Sequence, residues 1–243
     1  MLTVIVVLVL LALLLTPALA RTRVSDQAFQ CRNNLRQLIH GWRMYADDNR
    51  GNLCYPFDWV QGREDYNSNN PDNTNISYLV NGLLGPYVRN PAVYKCPADQ
   101  SQVLEGGVRM PRVRTLSMNQ AIGPLRSPYI DNTYRHYLKS SDMDLPSPGN
   151  LWVMICESPD SVNDGAFAVK MDPYGFYWQD GPTTLHGGSC NFAFADGHSE
   201  IHRWTDARTL GFNVTYRTSF PYGRVQANNA DIQWVEDRTT AKR

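Results

Sequence analysis

Between Glu157 and His202 the chain gathers side chains that hold cations or move protons: Glu157, Asp160, Asp164, His186, Asp196, His198, Glu200 and His202. Alternate residues of a strand point the same way, so His198, Glu200 and His202 could present two imidazoles and a carboxylate together, a donor set suited to a divalent ion. The oxygen-rich run Asp160-Ser161-Val162-Asn163-Asp164-Gly165 has the donors that calcium takes. Each feature also has a plainer reading: a hairpin turn for Asp196, a solvated sheet face for His198, Glu200 and His202, Asx-turn chemistry for the loop, and structural roles for Glu157 and His186. The candidate metal ligands are thus Glu157, His186, Asp196, His198, Glu200 and His202. Calcium or another divalent ion is the candidate cofactor, and no diagnostic spacing requires one.

Nucleophilic chemistry has less to build on. Ser189 sits in Gly187-Gly188-Ser189-Cys190, without the Gly-x-Ser-x-Gly elbow, and His186 four residues before Cys190 makes no dyad by spacing alone. There is no phosphate-binding glycine loop. No catalytic residue is assigned, and the chain is expected not to be an enzyme. The five cysteines (Cys31, Cys54, Cys96, Cys156, Cys190) contain no Cys-x-x-Cys pair, which argues against a zinc ribbon or a thioredoxin-type site. With 23 basic and 23 acidic side chains in 243 residues, no basic excess exists to neutralise a phosphate backbone, so nucleic acid is not an expected partner.

These residues must be positioned by a frame that begins with an uncharged run. Residues 1–20 are almost wholly Met, Leu, Val, Ile and Ala, and about 20 apolar residues span a bilayer core. Val24, Ala28, Cys31, Leu35, Leu38, Trp42 and Tyr45 follow at helical spacing, forming a stripe that would pack on a globular head. Asp47 to Asn52 carries the polar and glycine residues that end a helix. The expected organisation is a transmembrane half (1–20), an amphipathic half of the same helix (21–48) and a head (49–243), with a kink at Pro17. An alternative reading makes residues 1–20 a cleaved signal peptide ahead of a secreted binding or metal-dependent domain.

In the head, residues 51–75 read as a long polar loop, and Ile76–Leu84 as a short helix stopped by Gly85-Pro86. Leu151–Cys156 reads as a central strand. Cys190–Ala195 and His198–Trp204 read as a hairpin about a two-residue Asp196-Gly197 turn, placing Phe192 and Phe194 against the helix stripe and His198, Glu200, His202 and Trp204 on the opposite face. Phe212–Tyr216 and Ile232–Val235 look strand-like, in a C-terminal stretch whose fold does not follow from its pattern. Cys31 on the stripe and Cys96 before Pro97 are candidates for a disulfide tying helix to head, with two buried free thiols as the alternative.

The run LLLTPALARTR followed by CRNNLRQLIHGWRMYADDNRGNL resembles the N-terminal region of bacterial type IV pilin-like proteins, specifically type II secretion pseudopilins. The order of DNTN (72–75), LLGPYV (83–88), YKCPADQS (94–101), RTLSMN (114–119) and ESPDSVNDGAF (157–167) extends the likeness. His186, nine residues and then Asp196-Gly197 resembles the C-terminal signature of a planctomycete and verrucomicrobial group of that family. On this alignment the family's basic leader, Gly-Phe-Thr site and early glutamate would precede Met1.

The resemblance implies an α+β fold in which a long N-terminal helix packs on an antiparallel sheet. It also implies a non-enzymatic subunit of a type II secretion or type IV pilus-like assembly. Its partners would be other pilin-like subunits through the helix, the inner membrane and exported cargo. Its place would be a single pass in the bacterial inner membrane with the head outside the cytoplasm, moving into a filament on assembly.

Overall fold

The computed structural model describes residues 2–123, 128–171, 176–217, 220 and 223–243, the side chains of residues 2–21 and of Arg224 lying outside that description. One helix, α1, runs from Leu2 to Asp48, about 70 Å at 1.5 Å per residue. The expected membrane half and the Pro17 kink fall on residues whose side chains are not described. Among the described residues no helix is long and apolar enough to cross a membrane.

From residue 24 onward the stripe is where its spacing predicts. Ala28, Cys31, Leu35, Leu38 and Trp42 are buried, with Val24 and Tyr45 half-buried at its margins. Asn34, Ile39, Gly41 and Ala46 widen it, because a helix lying on a sheet buries a broader face than one row of residues. The helix ends as its polar residues predict. Arg50 and Gly51 adopt φ of 59° and 81°, and the Gly51 N–H reaches back 2.8 Å to the Ala46 carbonyl.

The remaining elements follow in order: helices α2 (Ser77–Val80) and α3 (Gly85–Val88), strands β1 (Gln102–Glu105), β2 (Val108–Pro111), β3 (Leu116–Asn119), β4 (Trp152–Cys156), β5 (Ala166–Phe167), β6 (Tyr177–Trp178), β7 (Ser189–Phe194) and β8 (Ser199–Arg203). Helix α4 (Ala207–Leu210), strand β9 (Arg224–Val225) and helix α5 (Ala230–Thr239) complete the chain. Five strands form the main sheet in the order β5-β3-β4-β7-β8. The fold is α+β with the N-terminal helix packed on a sheet. The sheet is mixed rather than antiparallel as expected, since β5 pairs parallel to β3 at its edge.

Helix α1 covers one face of this sheet and α5 the other. Asn191 of β7 donates from Nδ2 to the Ala28 carbonyl of α1 at 3.0 Å. On the opposite face, Trp152 donates from Nε1 to Val235 O and Thr239 Oγ1, and the Phe192 ring lies 5.0 Å from Trp234 of α5. Ile232–Val235 is therefore helix, not strand. Asn229 starts it by accepting from the Asp231 and Ile232 N–H groups, the capping signal that a short apolar run conceals. Phe212–Tyr216 forms no strand.

Two further local expectations change. Gly85-Pro86 opens α3 instead of stopping a helix, with Pro86 in the first turn, where its missing N–H costs nothing. Strands β1 and β2 form a tight hairpin through Gly106-Gly107, the two glycines taking φ of 55° and 84°. The β7–β8 hairpin pairs Phe192 with Glu200, Asn191 with Ile201 and Cys190 with His202, one residue away from the expected register. Its loop has three residues, Ala195-Asp196-Gly197, closed by the Phe194 N–H on the His198 carbonyl at 3.0 Å, with Gly197 at φ 100°. A one-residue slip exchanges the faces of a strand. Glu200 and His202 consequently share the face of Phe192, and that face meets α5 rather than α1.

Candidate metal centre

The slip puts His198, Glu200 and His202 on the face of Phe192 and Phe194, and most of the expected ligands do not converge on a common point. Asp196 and His198 pair with each other at 2.6 Å on the hairpin loop, and the His198 ring stacks on Phe194. His202 lies 3.7 Å from the Trp234 ring, wedged among Phe192 and Trp204, and burial lowers its pKa. Glu157 is wholly buried and accepts hydrogen bonds from the Ser117 and Ser161 hydroxyls. Burial pushes its carboxyl up to about 8 against those hydroxyls and the Arg114 charge, all of which favour the carboxylate. The Asp160 carboxylate is taken up by Thr215, by the Tyr216 N–H and by the Tyr66 hydroxyl. Asp164 accepts from the Ala166 N–H and pairs with Arg63. These oxygens serve the loops that carry them and do not converge on a calcium-like cage.

His186 alone of the six joins a cluster, and its companions are cysteines. The Sγ atoms of Cys31, Cys96 and Cys156 and a ring nitrogen of His186 all lie within 4.8 Å of one another, in fully buried surroundings. His186 Nε2 is 3.3 Å from Cys96 Sγ and 3.9 Å from Cys156 Sγ. This buried Cys3His set could hold a metal ion. Its sulfur donors exclude calcium, which takes oxygen ligands. All five cysteines are free, so Cys31 and Cys96 meet as expected, but as two members of this cluster and not as a disulfide.

Each donor is brought in by a different part of the chain. Cys31 projects from the docked stripe of α1. Three amides bracket it: Gln27 Nε2 on Pro97 O at 3.1 Å, Asn34 Nδ2 on Lys95 O at 3.2 Å, and Asn191 Nδ2 on Ala28 O. Cys96 sits in the Cys-Pro-Ala-Asp loop after a 3-10 turn over Pro91–Tyr94. Asp99 braces this loop by accepting from the Ser101 N–H and hydroxyl and from Thr115 Oγ1. The Ala98 N–H points at Cys96 Sγ from 3.4 Å.

Cys156 is the last residue of the buried central strand β4. His186 is carried by a helical turn in which the Gly188 N–H bonds Thr184 O at 3.0 Å and Gly187 and Gly188 take φ of 66° and 78°. The turn is pinned from both sides, by Trp204 Nε1 on Thr183 O at 2.9 Å and by the Thr183 N–H on Cys156 O at 3.1 Å.

Burial and mutual hydrogen bonding push the acidities of the three thiols apart. Burial pushes thiol pKa values up. At Cys31 the hydrogen bonds from Cys156, Cys96 and Asn191 outweigh burial, and its pKa falls well below the usual thiol value. At Cys96 burial prevails and raises the thiol to about 11, and at Cys156 burial and the hydrogen bonds to Cys31 and Cys96 hold the thiol well above its usual value. Cys190 stands apart, its thiol donating to the Cys156 carbonyl at 3.1 Å. His186 Nδ1 is buried without a protein partner among the described residues.

Comparison of the chain with family models, with curated proteins and with solved structures returned no match.

Proposed function

We propose that this chain is a membrane-anchored structural subunit of a type II secretion or type IV pilus-like assembly, carrying out no catalysis and assembling through α1. The observation that carries the reading is the continuity of that helix: it runs unbroken from the uncharged residues 1–20 into the stripe docked on the sheet. Uncharged helices of this kind hide the same apolar surface either in lipid or against one another, so subunits can leave a bilayer to form a filament core. The heads would then line the filament outside the cytoplasm, where exported cargo meets them, and sister subunits would be the principal partners.

The deciding measurement is the mass and N-terminal sequence of the protein recovered from membranes. A chain retaining residues 1–20 and cross-linking to copies of itself along that segment supports the reading. A mature chain starting at Arg21 overturns it in favour of a secreted domain, because such a chain has no filament core. Val9→Asp gives an independent check, since an aspartate near the middle of a membrane helix costs about 2.5–3.5 kcal/mol. Self-cross-linking should fall sharply, and cross-linking at the wild-type level would count against assembly through α1.

A further inference from the structure

We propose that Cys31, Cys96, Cys156 and His186 bind one zinc ion in a closed structural site that locks α1 to the head. Zinc bound tetrahedrally by thiolate and imidazole, with Zn–S about 2.3 Å and Zn–N about 2.0–2.1 Å, places its donors roughly 3.5–3.8 Å apart. The donors here lie within 4.8 Å of one another and two of the separations are 3.3 and 3.9 Å, so closure on an ion needs only sub-ångström movement. Three thiols and one imidazole are a complete set for a structural zinc site. A catalytic site keeps a position open to water, and the complete burial of all three cysteines, with His186 only 5% exposed, leaves no such approach.

The cation also answers two oddities of the cluster. Three thiols crowded in a dry interior can ionise together only beside a strong positive charge, and a divalent ion displaces their protons and compensates most of the resulting charge. The Ala98 N–H aimed at Cys96 Sγ offsets part of the remainder. The Nε2 edge of His186 points into the sulfurs, 3.3 and 3.9 Å from Cys96 and Cys156, while Nδ1 lacks a protein partner among the described residues, so the ring is placed for what lies on its Nε2 side. The four donors come from the long helix, the Cys-Pro loop, the central strand and the turn before β7. One ion would therefore tie together at a single point four segments that are otherwise joined two at a time, α1 to the Cys-Pro loop through Gln27 and Asn34 and the turn before β7 to β4 through the Thr183 N–H. In an oxidising compartment it would also keep Cys31 and Cys96 from pairing with each other.

The test uses the full chain, purified in detergent without chelator and analysed for metals by mass spectrometry. One zinc per chain is expected, removable by a strong chelator with a fall in melting temperature on the order of 10 °C or more. Cobalt(II) added to the stripped protein should give the intense thiolate-to-cobalt charge-transfer band and visible bands of a tetrahedral sulfur-rich site. Cys156→Ser should lose the zinc while Cys190→Ser, equally buried but outside the donor set, keeps it.

Should Cys156→Ser not fold, the metal content and cobalt spectrum of the unmutated chain decide alone. A metal-free chain with no charge-transfer band, a Cys31–Cys96 disulfide found by non-reducing peptide mapping, or stoichiometric iron or copper in place of zinc would each overturn the proposal. Equal zinc loss in Cys190→Ser and Cys156→Ser would overturn the assigned donor set.

Discussion

Phe192→Ala paired with Ile201→Ala tests the facing of the β7–β8 hairpin, because Phe192 is packed in either register whereas Ile201 shares its buried face only in the expected one and lies on the opposite face here. The Phe192 side chain is fully buried, with ring centroids of Trp152, Phe194, Trp204 and Trp234 between 5.0 and 6.5 Å away. Truncating a buried phenylalanine costs about 3–5 kcal/mol, and a site walled by large rigid rings cannot collapse to fill the space, which puts the expected loss in the upper half of that range. For a chain of this size each kcal/mol lowers the melting temperature by roughly 2–4 °C, so a drop of roughly 8–20 °C is expected.

The assay is thermal unfolding of the full chain followed by near-ultraviolet circular dichroism, whose aromatic signal should also weaken as the ring cluster loses its centre. The paired control is Ile201→Ala. Ile201 faces the other way, is 40% exposed, and should cost less than about 1 kcal/mol. A loss below about 1 kcal/mol for Phe192→Ala, or a larger loss for Ile201→Ala, would refute the facing of the hairpin and with it the placement of α5 on the sheet.

Four further outcomes follow from the packing. Gly85→Ala should destabilise severely or prevent folding, because its Cβ would fall 1.9 Å from the Val80 carbonyl oxygen; Gly106→Ala, at φ 55° with open space around it, should cost only about 1–2 kcal/mol, and denaturant midpoints compare the two. Glu64→Ala leaves Arg112 and Arg114 buried without their shared carboxylate, 3.1 and 3.7 Å away, and should cost about 3–5 kcal/mol in chemical unfolding. Asp196 gains pKa from partial burial but loses more to the His198 N–H, the His198 ring and Arg43, so its carboxyl titrates below its usual range. Its contribution to stability should be complete above about pH 4 and fade as pH falls through the lowered value, and Asp196→Asn should flatten that acid limb of a melting-temperature profile.

The parts of this fold written in short-range pattern were legible in the sequence. The stripe from Val24 to Tyr45 repeats at the helical period, and Trp152–Cys156 is a continuous apolar run bounded by turns. The hairpin was legible in existence but not in register. Asp196-Gly197 suits both a two-residue turn and the end of a three-residue loop, and the choice depends on whether Ala195 bonds across the ladder or to Leu151 O, as it does here at 3.0 Å. That acceptor sits just before β4, far away in sequence, so the register and the face it sets are not encoded in the hairpin's own residues.

The Cys3His cluster was illegible for a related reason. Its members stand at 31, 96, 156 and 186, each in an element whose own pattern explains it: a stripe position, a residue before proline, a strand end and a turn before two glycines. Only the assembled tertiary structure makes them neighbours.

The bonds that bracket Cys31 also set an order of events during synthesis. Helix α1 is made before the head, yet its amide contacts reach forward to Lys95 and Pro97 and on to Asn191, 163 residues beyond Ala28. At about 5–20 residues per second the docked face of α1 waits roughly 10–30 s for its last strand to be made. Over that interval the sheet that covers Leu35, Leu38 and Trp42 is built up strand by strand, β4 before β7, so the burial of this face is completed only when β7 arrives.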